Sequence, residues 1–161
     1  MIETTVERWH QHLRGELPGG LDSLLHPDCV FVSPIVFTPQ KGRDLTKLYL
    51  GAAGQTLGGD PSGGVVEGAS SGEPGSESSA EKPAGAFRYI KEVVAGDHAV
   101  LEFETSMDGT YVNGVDIITC DADGLIVEFK VMIRPLQAIE KVHAAMRAML
   151  EQMTAAAEST S

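Results

Sequence analysis

Residues 111–135, YVNGVDIITCDADGLIVEFKVMIRP, constrain the fold more than any other stretch of the chain. Two runs rich in β-branched residues, 111–120 and 125–133, flank Asp121-Ala122-Asp123-Gly124. Branched side chains suit a pleated strand, and Asp-Gly supplies the positive φ that a tight hairpin turn requires. The spacing therefore predicts an antiparallel hairpin. Side chains alternate across a strand, so Val112, Gly114, Asp116, Ile118 and Cys120 share one face. An ionised carboxylate on that apolar face is costly unless a partner or a reaction uses it. Asp116 is accordingly the leading candidate for a functional group.

Two more strands precede the hairpin. Phe87 and Tyr89 alternate with Arg88 in 87–95, and Leu101, Phe103 and Thr105 alternate with Glu102 and Glu104 in 99–107. Gly96-Asp97-His98 and Asp108-Gly109 provide the turns. Four consecutive strands so connected predict an antiparallel meander. Val6, Trp9 and Leu13 fall on one stripe of a helix over 3–14, which Gly15 and Pro18-Gly19-Gly20 end. Leu21, Leu24 and Leu25 suit a short second helix that stops before Pro27. Residues 29–33 read as a strand, and 35–37, bracketed by Pro34 and Pro39, as a short edge strand. A third helix is expected over 43–53. The last helix, over 136–154, carries Leu136, Ile139, Val142, Met146, Met149, Leu150 and Met153 on one stripe, with Pro135 in its first turn and a frayed tail over 155–161.

Between the third helix and the meander the composition changes. Residues 57–85 hold eight Gly, six Ser and three Pro, no aromatic, and five acidic residues against Lys82 alone. Such a segment buries too little apolar area to offset the entropy of ordering, so it is expected to be a disordered insertion within one domain spanning 1–154. A length of 161 residues and 42% hydrophobic content fit a single core. The net charge of −11 argues against nucleic acid or an anionic membrane as partner. No signal peptide and no membrane span is visible, so a cytoplasmic protein is expected. Cys29 and Cys120 lie in apolar runs and read as buried thiols, and the five histidines and two cysteines show no metal-ligand spacing.

The order helix, short helix, two short strands, helix, four antiparallel strands, helix defines an α+β domain with one curved sheet wrapped around the early helices. That order, with His26-Pro27-Asp28-Cys29-Val30-Phe31, Gly114-Val115-Asp116 and Asp123-Gly124-Leu125-Ile126-Val127-Glu128-Phe129, resembles the nuclear transport factor 2-like superfamily and, within it, SnoaL-like proteins. The resemblance covers the chain except the Gly/Ser insertion. It implies a cone whose concave sheet face and first helices enclose an apolar pocket that needs no cofactor. The pocket walls it suggests are Trp9, His12, Leu13, Tyr49, Phe103, Ile118, Phe129 and Val131, around Asp116 as the catalytic group. It also implies a homodimer, in keeping with the apolar outward residues Val115, Ile117 and Thr119.

Matched to the family's enzymes, the chain departs at several positions. The carboxylate base of ketosteroid isomerases corresponds to Ser33, and their oxyanion tyrosine falls near Trp9. Their protonated aspartic acid matches Asp116. The arginine and second carboxylate of limonene-epoxide-hydrolase-like members correspond to Gly114 and Val131. A single acid/base aspartate, as in SnoaL-like cyclases, is the enzymatic arrangement that survives. Burial among Ile118, Phe129 and Val131 should raise its pKa toward neutrality. Two functions follow: cofactor-free lyase, isomerase or cyclase chemistry on a hydrophobic carbonyl or polyketide-like compound, or a non-catalytic ligand-binding or dimeric interaction module. A structural alternative for Asp116 is an ion pair with Arg134 or a histidine of the first helix, or the capping of a backbone amide.

Overall fold

Each predicted strand of the meander forms, and the sheet it belongs to has six strands. A computed structural model of the chain describes residues 1–57 and 86–159. Its elements are α1 (Ile2–Leu13), α2 (Gly20–Leu24), β1 (Leu25–Val32), β2 (Gln40–Lys41), α3 (Arg43–Leu57), β3 (Arg88–Ala95), β4 (His98–Met107), β5 (Thr110–Cys120), β6 (Ile126–Arg134) and α4 (Leu136–Glu158). The strand order is β2-β1-β6-β5-β4-β3, antiparallel throughout except that β1 runs parallel to β6. Register shifts in β1, β3 and at the end of β5 mark bulges, which bend a sheet and increase its twist. The result is a curved α+β sheet with helices at its concave side.

The turns follow their residues. Gly124 takes φ 77°, and the Asp121 carboxylate accepts from the Asp123 and Leu125 amides at 2.9 Å each. Asp108 and Gly109 both take positive φ, the pairing a two-residue hairpin favours. The Thr5 hydroxyl donates to the Gly124 carbonyl at 3.0 Å, which pins α1 to the tip of the β5–β6 hairpin. Arg43 donates through two nitrogens to the Leu25 carbonyl, at 3.0 and 2.7 Å, and ties the start of α3 to β1. The Thr105 hydroxyl donates to the Leu57 carbonyl at 3.0 Å, satisfying an acceptor that the helix end leaves open.

Four expectations are corrected. Residues 35–37 form no strand: the Ser33 hydroxyl accepts from the amides of Ile35 and Val36, folding the backbone into a turn, and Phe37 is 97% exposed. The short partner strand is β2 instead. Helix α3 continues to Leu57, which is buried in the core rather than opening a loop, while 58–85 lie outside the described residues. Helix α4 runs through the alanines 155–157, strong helix formers, to Glu158, so most of the expected frayed tail is helical. Pro135 precedes α4 as its cap, and Leu136 is 68% exposed, so the buried stripe begins at Ala138 and Val142.

The core lies between the concave sheet face and the helices. Phe31, Leu101, Phe103, Val112, Ile118 and Phe129 are buried there with Ile2, Val6 and Trp9 of α1. Cys29 and Cys120 are buried free thiols. On the convex face Val93, Val100 and Met132 stay exposed.

Candidate functional site

Strand β5 carries Asp116 to the concave face between two apolar cross-strand neighbours, Leu101 of β4 and Val131 of β6. Its residue exposure is 6%. Removal from water penalises the charged form, and burial raises the Asp116 pKa to about 7, partly opposed by a hydrogen bond from Tyr89. That bond runs from the Tyr89 hydroxyl to Asp116 Oδ2 and is short. The Trp9 indole N–H in turn donates to the Tyr89 hydroxyl oxygen at 2.9 Å. Burial and the adjacent Asp116 charge push the Tyr89 phenol well above its ordinary range, so it stays a donor. Among the described residues no cation pairs with Asp116. Arg134 donates to Asn113 Oδ1 at 3.2 Å, and His10 lies 2.7 Å from Glu92, so neither is paired with Asp116 as the structural alternative supposed.

A cavity of about 400 Å³ opens in front of Asp116. Trp9, His12, Leu13, Phe103, Phe129 and Val131 line it, as do Phe87, Tyr89, Leu50, Leu57 and the α3 glycines Gly51 and Gly54. The Trp9 ring lies 4.9 Å from that of Phe129 and 5.4 Å from that of His12. Burial lowers the His12 pKa, which favours the neutral imidazole. Gly114 shapes this wall by absence: a Cβ there would stand 2.4 Å from Phe103 Cζ and 2.6 Å from the Met132 carbonyl oxygen. Phe103 therefore lies over Gly114, and Tyr89, edge-on to Phe103, reaches Asp116.

Two expected wall residues are elsewhere. Tyr49 stacks on Phe31 at 5.3 Å and lines a separate cavity beneath α4. Ile118 is fully buried between its cross-strand partners Ala99 and Phe129 and lines neither cavity. Sequence reasoning missed Tyr89 as the partner of Asp116, and Phe87, Leu50, Leu57, Gly51 and Gly54 as wall residues. The inward alternation of Tyr89 with Phe87 was visible, but its pairing with Asp116 depends on a register across β4 that no local pattern encodes. Among the described residues no cluster of three His, Cys, Asp or Glu could hold a metal ion. No described helix is long and apolar enough to cross a membrane.

An α+β cone holding one buried carboxyl at the wall of an apolar cavity is the class of protein that fold and site define. No family model matches the chain, and no curated protein matches it. Solved structures do. A steroid delta-isomerase from Pseudomonas aeruginosa is similar at TM-score 0.75 and 26% identity, over 96% of this chain and 94% of that one. An uncharacterised protein with a cystatin-like fold from Silicibacter pomeroyi is similar at TM-score 0.66 and 27% identity, over 89% and 83%. A protein assigned as a polyketide cyclase from Sinorhizobium meliloti shares the fold at TM-score 0.53 and 14% identity, over 80% and 94%. These structural neighbours fit the nuclear transport factor 2-like and SnoaL-like superfamily.

Proposed function

We propose that the chain binds a hydrophobic carbonyl compound, of polyketide or similar character, and moves a proton on it without a cofactor, as a lyase, isomerase or cyclase. The observation that carries this reading is Asp116 at the wall of an apolar cavity with a pKa of about 7. A carboxyl poised there is available in both protonation states at neutral pH, so it can give a proton to a carbonyl oxygen or take one from the carbon beside it. Tyr89 occupies Oδ2, which leaves Oδ1 for the ligand. Trp9, Phe103 and Phe129 exclude water and hold the apolar body, and neutral His12 offers a second polar contact. The similarity to an isomerase at 26% identity supports the reaction class.

A second reading is binding without turnover. It is favoured by Ser33, whose hydroxyl accepts backbone amides where ketosteroid isomerases carry a catalytic carboxylate. Mass spectrometry of compounds that co-purify with the protein, followed by turnover assays of wild type and Asp116→Asn, separates the two. Loss of turnover by roughly 10²–10⁴-fold in the variant supports catalysis. Binding with no turnover in either protein leaves the binding module. The apolar convex face, with Val100 and Met132 beside Val115 and Ile117, also supports a homodimer joined sheet to sheet. Sedimentation at micromolar concentration tests it, and a monomer would overturn it.

A further inference from the structure

The cavity beneath α4 measures about 240 Å³. Alone it falls below the roughly 300 Å³ at which ligand pockets begin. It is not isolated, however. Ala53, Leu57 and Val131 line both this cavity and the one in front of Asp116, so the two share a wall. The Thr105 hydroxyl holds the Leu57 carbonyl at 3.0 Å, at one end of that wall. Beside it, Gly51 and Gly54 face the Asp116 cavity, and a Cβ at either position would meet nothing within 4 Å. Glycine within a helix costs stability, and no neighbour requires it here. Its effect is to keep the approach to the dividing wall open.

We propose that the two cavities are one two-chambered site for an elongated ligand. The carbonyl end sits at Asp116, and an unbranched apolar tail passes Ala53 into the chamber beneath α4. Phe31, Tyr49, Ile133, Met146 and Leu150 surround that tail. Where this chamber meets solvent, α4 presents the exposed His143, Arg147 and Glu151, so the site ends in a polar rim. The inference rests on the carbonyl-binding reading of Asp116, and the substrate class it adds is a straight-chain rather than a compact fused-ring compound.

Straight-chain methyl ketones from pentanone to tetradecanone, measured by equilibrium dialysis, test this in the full chain. Wild type should bind the short members, and its Kd should fall about fourfold for each further methylene buried until both chambers are full. In Met146→Trp the fall should stop several methylenes earlier, and Leu150→Phe provides a second, milder filling should the first fold poorly. If the short ketones bind but wild type reaches its plateau at the same length as both variants, the second chamber is unused and the inference is overturned, with the Asp116 reading intact. If no ketone of any length binds, both fall together.

Discussion

The Trp9 indole nitrogen lies 2.9 Å from the Tyr89 hydroxyl oxygen, and this sets the direction of every hydrogen bond beyond it. An indole N–H only donates, so the phenol must accept there and send its own hydrogen to Asp116. Accepting one bond while giving another strengthens the second. A helix on one side of the cone thus reaches the carboxyl on β5 through a phenol on β3.

Tyr89→Phe breaks this relay at its centre. The Tyr89 hydrogen bond holds the Asp116 pKa down against burial, so the variant should titrate above the wild-type value of about 7. Carboxyl carbon chemical shifts followed across pH would read this directly. The stranded Trp9 N–H should also cost about 1–3 kcal/mol of stability in a denaturant melt.

Asp116→Asn should remove a pH dependence of stability whose sign is opposite to that of an ordinary paired carboxylate. In the folded chain Asp116 keeps its proton up to about pH 7, against an ordinary 3.8 when unfolded. The folded state therefore binds the extra proton across that window, and stability falls as pH rises through it. The loss at and above neutrality is on the order of 4 kcal/mol. Urea melts of both proteins at about pH 4 and about pH 8 should show Asn stabilising more at the higher pH. Equal differences at the two values would mean that folding does not raise the Asp116 pKa.

Gly114→Ala tests the wall itself. Its Cβ would press on the Phe103 ring and on a backbone carbonyl that cannot step aside. Overpacking of this kind should cost roughly 3 kcal/mol and tilt Phe103 into the cavity. Retained stability would show that β6 can shift at Met132 and that Phe103 can turn aside as well.

Thr105→Val keeps shape and removes the hydroxyl that holds the Leu57 carbonyl. A loss of about 1–2 kcal/mol is expected, with faster amide exchange confined to the last turn of α3.

The periodic parts of the fold were legible because their signal is local. Alternation placed Asp116 inward, and the Asp-Gly turns sit where the positive φ values are. What was not legible depends on distant neighbours. Ile35 and Val36 look like strand residues, yet one serine hydroxyl turns their backbone. Tyr49 has the spacing of a pocket residue, but α4 covers it and opens a different cavity there. Tyr89 gains its role only after β3, β4 and β5 are in register, and residue type alone does not encode that register.

The parallel pairing of β1 with β6 bears on how the molecule comes off the ribosome. β1 emerges early, but the strand that completes it follows roughly a hundred residues later. The bond from Thr5 to Gly124 spans 119 positions and must wait as long. At about 5–20 residues per second that interval is on the order of ten seconds. During it the nascent chain presents the apolar Cys29 and Phe31 with only the two-residue β2 to pair with, so β1 is exposed to chaperone capture or to pairing with another nascent copy.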